Sequence, residues 1–367
     1  MKNNKKILFL VPYPINKAPS QRLKFEQYYI YLEANGYDLT HHSFIDNAFW
    51  EIIYKEGNFF KKVFYTLAGY CRRIGELFTL RKYDIVYVHL WVTPIGPPFF
   101  EFLVCLFSKK IIYDIDDLVY LRNNPHESTF KKVIKGKSKP LYLIKHADHV
   151  ITCTPYLDSY VRKYNQNTTD ISSTINTEEY LPAGNKNKKI TLGWSGSHST
   201  VKYLYLLKEV LIEVNKIHPF RLLVLGTEDF YIEGLDIDSR KWNAISEVDD
   251  LREIDIGLYP LPLDQEWVLG KSGLKALQYM ALEIPTIATA VGANFRVIND
   301  NESGYLVRDR KEWEEKIIAL ISDADSRKRI GKAARERVEK YYSIKSNRDT
   351  YLFILNKVVN PDPIKAS

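Results

Sequence analysis

Cysteine is scarce: Cys71, Cys105 and Cys153 stand apart from one another in 367 residues. Three isolated thiols supply neither a disulfide framework nor a metal-ligand spacing. A reducing, cytoplasmic compartment is the natural setting. Long apolar runs are missing as well. The basic start at 1–6 leads into 7–11, which is too short for a signal segment and stops at Pro12. No run is long enough to span a bilayer. Glycine fingerprints are also absent. The loop after Val11 reads PYPINKAPSQR, without G-x-G-x-x-G, which weighs against a nicotinamide dehydrogenase. Gly270-Lys271-Ser272 ends like a Walker motif, but Gln265 stands where the first glycine belongs, so a P-loop NTPase is excluded. The net charge is a modest +7 and the basic residues are scattered, so no nucleic-acid partner is expected.

What is present is a globular composition, 45% hydrophobic and 26% charged, at a length that suggests two domains. Residues 7–11 form a continuous apolar run, the pattern of a strand buried on both faces of a parallel sheet. A helix over 22–35, capped by Gly36, and a strand over 37–44 complete a β-α-β unit. Ser20, Gln21 and Arg22 fall at the strand-end loop, where ligands bind in such folds. Arg22 is either a phosphate or sugar contact or a surface arginine. Further strands are expected at 83–89, ending in His89, and at 111–113, ending in Asp114, Asp116 and Asp117. Carboxylates gathered at a strand end are costly to hold together and usually bind something. They suit sugar hydroxyls or a developing positive charge; a helix cap with an ion pair is the plainer alternative. Strands at 147–154 and 170–175 follow. Residues 182–189 read as a linker.

A second α/β series opens with a strand at 190–195, a small donor-rich loop containing Gly196 and Ser197, and a helix over 201–217. Strands at 220–225 and 254–259 follow. The stretch 270–289, GKSGLKALQYMALEIPTIAT, opens with the loop Gly270-Lys271-Ser272-Gly273. A helix comes next, with Leu274, Leu277, Met280 and Ala281 on one stripe, then a short buried strand at 286–289. A glycine-bearing loop entering a helix leaves free N–H groups and a positive dipole end, which suits a phosphate. The alternative is an ordinary loop with a solvated Lys271. Asn294 lies in the next strand-end loop, and a strand at 305–307 precedes helices at 311–320 and 325–341. The fold class expected is α/β, as two Rossmann-like domains facing each other across a cleft.

Two segments carry other readings. Residues 49–80 interleave Phe49, Trp50, Phe59, Phe60 and Phe64 with Lys55, Lys61, Lys62, Arg72 and Arg73. This suits an anionic membrane surface, or else a core helix with a solvated basic edge. Lys131, Lys132, Lys135, Lys137 and Lys139 form either a solvated face or a lipid-phosphate patch.

The run GKSGLKALQYMALEIPTIATAVGAN…NESGYLV, with Trp313 and the late helix ending in Tyr341-Tyr342-Ser343, resembles the second domain of family 4 glycosyltransferases, the glycosyl transferases group 1. The resemblance extends to GWSGSHST and DIGLYPLP, and to YDIVYVHL, YDIDDLVY and ADHVITCT in the first half. It implies the GT-B fold, with an acceptor domain at 1–183, a donor domain at 184–342 and a segment at 343–367 returning to the first domain. It implies transfer with retention from a nucleotide-diphosphate sugar to a glycan or lipid-linked acceptor, without metal, in surface polysaccharide or glycoconjugate synthesis. The enzyme would be cytoplasmic, or peripheral at the inner membrane face. The donor residues implied are Gly196, Ser197, Lys271, Ser272, Gly273, Gln278 and Asn294. Arg22 and His89 fall on the acceptor side, and Asp116, with Asp114 and Asp117, is the catalytic candidate. The family's paired glutamates are replaced by Gly270 and Gln278, and Asp116 stands where many members have histidine. A non-catalytic sugar-nucleotide-binding or partner subunit, and a nucleotide-sugar epimerase, therefore stay open.

Overall fold

The structure, a computed structural model, describes residues 4–116, 136, 138–184, 189–197 and 199–360. It divides into two units, residues 1–172 with 347–367, and residues 173–346. The first unit ends ahead of the turn-rich stretch at 182–189.

In the first unit the strands are β1 (Lys5–Val11), β2 (Tyr37–Ser43), β3 (Ile85–His89), β4 (Ile111–Asp114), β5 (His149–Thr152) and β6 (Thr168–Asp170). They form a parallel sheet in the order β2-β1-β3-β4-β5-β6. Ile7 pairs with Leu39 on one side and Ile85 on the other, so β1 lies inside the sheet and its apolar run is buried on both faces. Around the sheet lie α1 (Pro19–Arg22), α2 (Tyr29–Ala34), α3 (Asn47–Ile53), α4 (Phe59–Leu77), α5 (Phe99–Phe107), α6 (Lys139–His146) and α7 (Pro155–Val161). The single helix expected at 22–35 is instead α1 and α2, with a 3₁₀ turn at Glu26–Tyr28 between them. Phe25 and Tyr28 are both buried, and the tighter turn lets residues three apart point the same way. Phe25 stacks on Phe9 at 5.6 Å. The strand expected at 170–175 ends at Asp170; Ile175 makes only an isolated bridge to Ser343.

The second unit contains β7 (Thr191–Ser195), β8 (Arg221–Leu225), β9 (Asp236–Arg240), β10 (Ile256–Tyr259), β11 (Thr286–Thr289) and β12 (Tyr305–Val307), parallel, in the order β12-β11-β10-β7-β8-β9. Its helices are α8 (Lys208–Ile217), α9 (Glu247–Leu251), α10 (Leu274–Ala281), α11 (Asn294–Val297), α12 (Arg310–Ser322) and α13 (Ala324–Tyr341). The helix expected from 201 starts as a 3₁₀ stretch, Val201–Leu207. Strand β9 has no apolar run to announce it. It is an edge strand held by charge: Arg221 donates to Asp238 at 2.5 Å, and Arg240 reaches Asp238 at 2.7 Å and Glu253 at 2.7 Å. The last helix, α14 (Ile344–Val359), packs on the first unit. The Tyr351 ring lies 4.4 Å from that of Tyr28, and Tyr37 donates to Asn356 at 2.8 Å.

Each sheet reverses its direction of winding once, between β1 and β3 in the first unit and between β7 and β10 in the second. Connections diverge there, and the carboxyl edge is left with a crevice.

Candidate functional site

The second unit's crevice is shaped by glycine. Gly226, at φ 132°, follows β8, and a Cβ there would lie 2.0 Å from the Gly196 carbonyl oxygen. No side chain fits, so the loops after β7 and β8 close together. Ser197 is tied into its own turn: its N–H donates to the Thr200 hydroxyl at 3.0 Å, and its hydroxyl lies 2.9 Å from that of Ser199. Gly273 sits at the N-cap of α10 with φ 78°, a left-handed conformation that suits glycine. A Cβ there would come within 3.0 Å of Val297 and 3.3 Å of the Asn294 amide oxygen. The first-turn N–H groups of α10 have no acceptor within the helix.

Helix α10 is pinned over the switch point by Tyr279, whose hydroxyl accepts the Ser195 N–H at 2.6 Å. Burial pushes that hydroxyl's pKa well up. One turn earlier on the same face is Lys275. Its ammonium stands 5.9 Å from the ring centroids of both Trp194, in β7, and Tyr259, in β10. Lys275 was not singled out by sequence; its four-residue spacing from Lys271 was the available signal. The Lys271 ammonium lies 5.4 Å over the Trp267 ring, and the Ser272 hydroxyl 2.9 Å from that of Ser173. Gly196, Ser197, Lys271, Ser272 and Gly273 are thus all on strand-end loops of this sheet.

Two expected donor residues are placed differently. Asn294 is 1% exposed and gives its amide to the Thr289 carbonyl at 2.9 Å, bracing the loop after β11. Gln278 is buried, and its amide donates to the Tyr180 hydroxyl at 3.0 Å and to Glu247 at 3.1 Å. Glu247 also accepts from Tyr180 at 3.0 Å and from Trp242 at 2.8 Å. A buried amide must be satisfied, and this cluster occupies the donors of Gln278, a residue expected at the sugar-nucleotide site. The carboxylate in the cluster is Glu247 from α9, which carried no motif to mark it.

In the first unit the strand-end charges are mutually engaged. Asp114 is fully buried, bonded to the Lys24 ammonium, and accepts from the Tyr87 hydroxyl at 2.5 Å. Burial raises the Asp114 carboxyl, but Lys24 outweighs it and holds the pKa at about 2. Burial likewise lowers the Lys24 ammonium, and the Asp114 charge more than restores it. Asp114, one of the three carboxylates read as catalytic candidates, is therefore a buried ion-pair partner, because Lys24 reaches it from 90 residues away. His89 is buried, 3.8 Å from Asp114, and neither ring nitrogen has a hydrogen-bond partner. Asp116 is half-buried beyond the end of β4, Arg22 is half-buried at the end of α1, and Asp117 lies outside the described residues. Gln21 brackets the Tyr13 backbone, accepting its N–H and donating to its carbonyl, both at 3.0 Å.

The other basic segments also change meaning. Arg73 is buried, donating to the carbonyls of Val11 and Val92 at 2.9 Å and pairing with Glu76 at 2.7 Å. Lys139 is buried beside Glu101 at 3.3 Å, so it is not part of a solvated face. Lys131, Lys132, Lys135 and Lys137 lie outside the described residues.

Residues 263–337, which include Lys271, Lys275 and α10, match the family described as Glycosyl transferases group 1. Trehalose synthase of Pyrococcus horikoshii is 38% identical over 86 residues, which are 23% of this chain and 21% of that protein. This chain therefore covers about a fifth of that relative's length. A glycosyltransferase from Rickettsia africae superposes with a TM-score of 0.71 at 16% identity, over 98% of this chain and 100% of that one. The Anabaena protein HepE, in complex with UDP and glucose, superposes with a TM-score of 0.69 at 13% identity, over 96% of this chain and 100% of that one. The chain has the GT-B fold and carries, at 263–337, a segment that matches the group 1 glycosyltransferases.

Proposed function

We propose that this chain is a retaining glycosyltransferase that takes its sugar from a nucleoside diphosphate donor. The observation that carries the reading is the β7–β10 switch point. A glycine-cleared crevice, the first turn of α10 and the Lys275 ammonium converge there, within or beside the segment shared with group 1 glycosyltransferases. HepE, with a similar fold, binds UDP and glucose, which supports a nucleotide sugar as donor.

In this reading Lys271, Lys275 and the N–H groups of Ser272, Gly273 and the first helical turn hold the diphosphate. They stabilise the charge that grows on it as the glycosidic C–O bond breaks. An acceptor hydroxyl attacks the anomeric carbon on the face that the diphosphate leaves, and its proton passes to the departing phosphate oxygen. Arg22, and Asp116 as the catalytic candidate, belong to the first unit and are the acceptor-side residues of this reading. Cations already on the protein offset the leaving charge, so no metal is invoked, and chelator should leave the rate unchanged. The acceptor is a glycan or lipid-linked glycan of surface polysaccharide or glycoconjugate synthesis. The three free thiols favour a cytoplasmic setting. Among the described residues no helix is long and apolar enough to cross a membrane.

A thermal-shift series with UDP, GDP and ADP and their sugar conjugates tests the donor site. Ligand at 100 times its dissociation constant adds about 2.7 kcal/mol. A shift with one nucleotide, lost in Lys275→Ala, is the expected result; no shift with any of them overturns the reading. Magnetic resonance of the product's anomeric centre tests retention. A second reading, a non-catalytic sugar-nucleotide-binding subunit, is favoured by Gly270 and by the engaged amide of Gln278 at the family's glutamate positions. Nucleotide binding without turnover of any donor would select it.

A further inference from the structure

Helix α4 is built inside out. A surface helix ordinarily turns an apolar stripe to the core and polar residues to water. Here the buried positions are Gly69, Arg73 and Glu76. Arg73 earns its burial by binding strand-end carbonyls and Glu76. The opposite face carries Phe60, Phe64, Leu67, Ile74 and, at the C-cap, Phe78, which are 86%, 67%, 60%, 48% and 84% exposed. With the exposed Cys71 they recur at alternating spacings of four and three residues, which keeps them on one line along the whole helix. Helix α5 lies beside α4, with the Tyr70 and Phe100 rings 5.5 Å apart and the Tyr70 hydroxyl on the Ile95 carbonyl at 2.9 Å. It adds Phe99, Phe102 and Leu106, also exposed. Scattered surface apolar residues need no explanation; a continuous patch over two helices marks an interaction face.

Charge selects what covers it. Between residues 57 and 83 the one carboxylate is Glu76, turned inward against Arg73. Lys61, Arg81 and Lys82 stand exposed at the two ends of the stripe. A second copy of the chain fits poorly: an antiparallel pairing sets Lys61 against Arg81 and Lys82, and a parallel one sets each cation against itself. Neither finds a carboxylate of the 57–83 segment, whose one carboxylate, Glu76, is turned inward. An anionic bilayer supplies both requirements, acyl chains for the stripe and phosphates for its basic ends. We propose that α4, with α5 beside it, lies flat on an anionic lipid bilayer, its axis in the plane of the interface. The inference does not depend on the transfer reaction above.

Cys71 provides a native reporter in the middle of the stripe. The full chain with Cys105→Ser is labelled there with an environment-sensitive dye and mixed with two kinds of vesicle, phosphatidylcholine alone and phosphatidylcholine with phosphatidylglycerol. Unlabelled protein is tested by flotation in parallel. The expected result is a blue shift and co-flotation with the anionic vesicles, weakened by salt, and neither with phosphatidylcholine alone. Phe60→Ser, Phe64→Ser and Phe78→Ser together should abolish both while leaving the melting temperature near that of the parent, because these side chains are exposed. Should that variant fail to fold, Lys61→Glu and Arg81→Glu carry the test, each lowering vesicle affinity about fivefold. No shift with anionic vesicles overturns the proposal. So does a lipid-independent shift that grows with protein concentration, which would assign the face to a second copy, or vesicle binding that survives the serine and glutamate variants.

Discussion

Around the strand ends of the first sheet, Lys24 meets Asp114, Arg73 meets Glu76, and Lys139 meets Glu101, all with side chains at most 9% exposed. Around those of the second sheet stand Gly196, Gly226 and Gly273, with Lys271 and Lys275 half-buried over aromatic rings. The two sheets share one plan: both are parallel, six-stranded and reversed once. One edge is filled with cations paired to buried carboxylates, while the other sets its lysines over aromatic rings beside cleared backbone. The topology provides a crevice in both places. Residue choice decides whether it becomes core or a place for an anion. A lysine at the first edge should therefore matter to stability, and a lysine at the second to binding.

The largest effect tests the first half of that contrast. Asp114→Ala leaves the Lys24 ammonium buried without its partner and should cost about 3–5 kcal/mol in urea unfolding. A loss below about 1 kcal/mol would mean the pair is not closed to water. Next is the polar cluster in the second unit. Gln278→Glu sets a second carboxylate against Glu247, and should cost about 2 kcal/mol. Higher stability or tighter nucleotide binding would show that the cluster opens toward a ligand. Then comes Lys275→Ala, expected to weaken binding of the preferred nucleoside diphosphate about tenfold by calorimetry, with unfolding changed by less than about 0.5 kcal/mol. Loss of stability with intact binding would invert the contrast.

The smallest effect is in pH. Burial holds the His41 imidazole down at about 4, against a tyrosine hydroxyl 3.0 Å away. The folded state then binds fewer protons than the unfolded chain, so stability is full above the ordinary histidine range and falls as pH drops from about 6.5 toward 4. At about pH 5.5 the share of the loss due to His41 should be about 1 kcal/mol, and His41→Gln should remove that share while His149, held down by burial to about 4 as well, keeps its own. A profile equally steep in that variant would assign the protons elsewhere.

Strands β1, β3 and β12 were legible because a strand covered on both faces must be apolar throughout. The polar edge strand β9 was not, since its ties to Arg221 and Glu253 come from other elements. The site was legible where it depends on backbone, as at Gly273 and Gly196. It was not legible where it depends on a long-range partner. Lys24 and Lys275 look alike in sequence; the first finds Asp114 across 90 residues, and the second finds Trp194 and Tyr259. The reading of Gln278 failed for the same reason, because Tyr180 and Glu247 reach it from other segments.

The return of α14 to the first unit has a consequence for how the protein is made. Residues 5–170 leave the ribosome first and contain every strand of their sheet, yet Tyr28 and Tyr37 wait for Tyr351 and Asn356. The second unit, emerging between them, is one unbroken segment and has all its parts before the first does. Synthesis order and completion order are therefore opposite. Without α14, Tyr28 and Tyr37 lack the cover that Tyr351 and Asn356 give them.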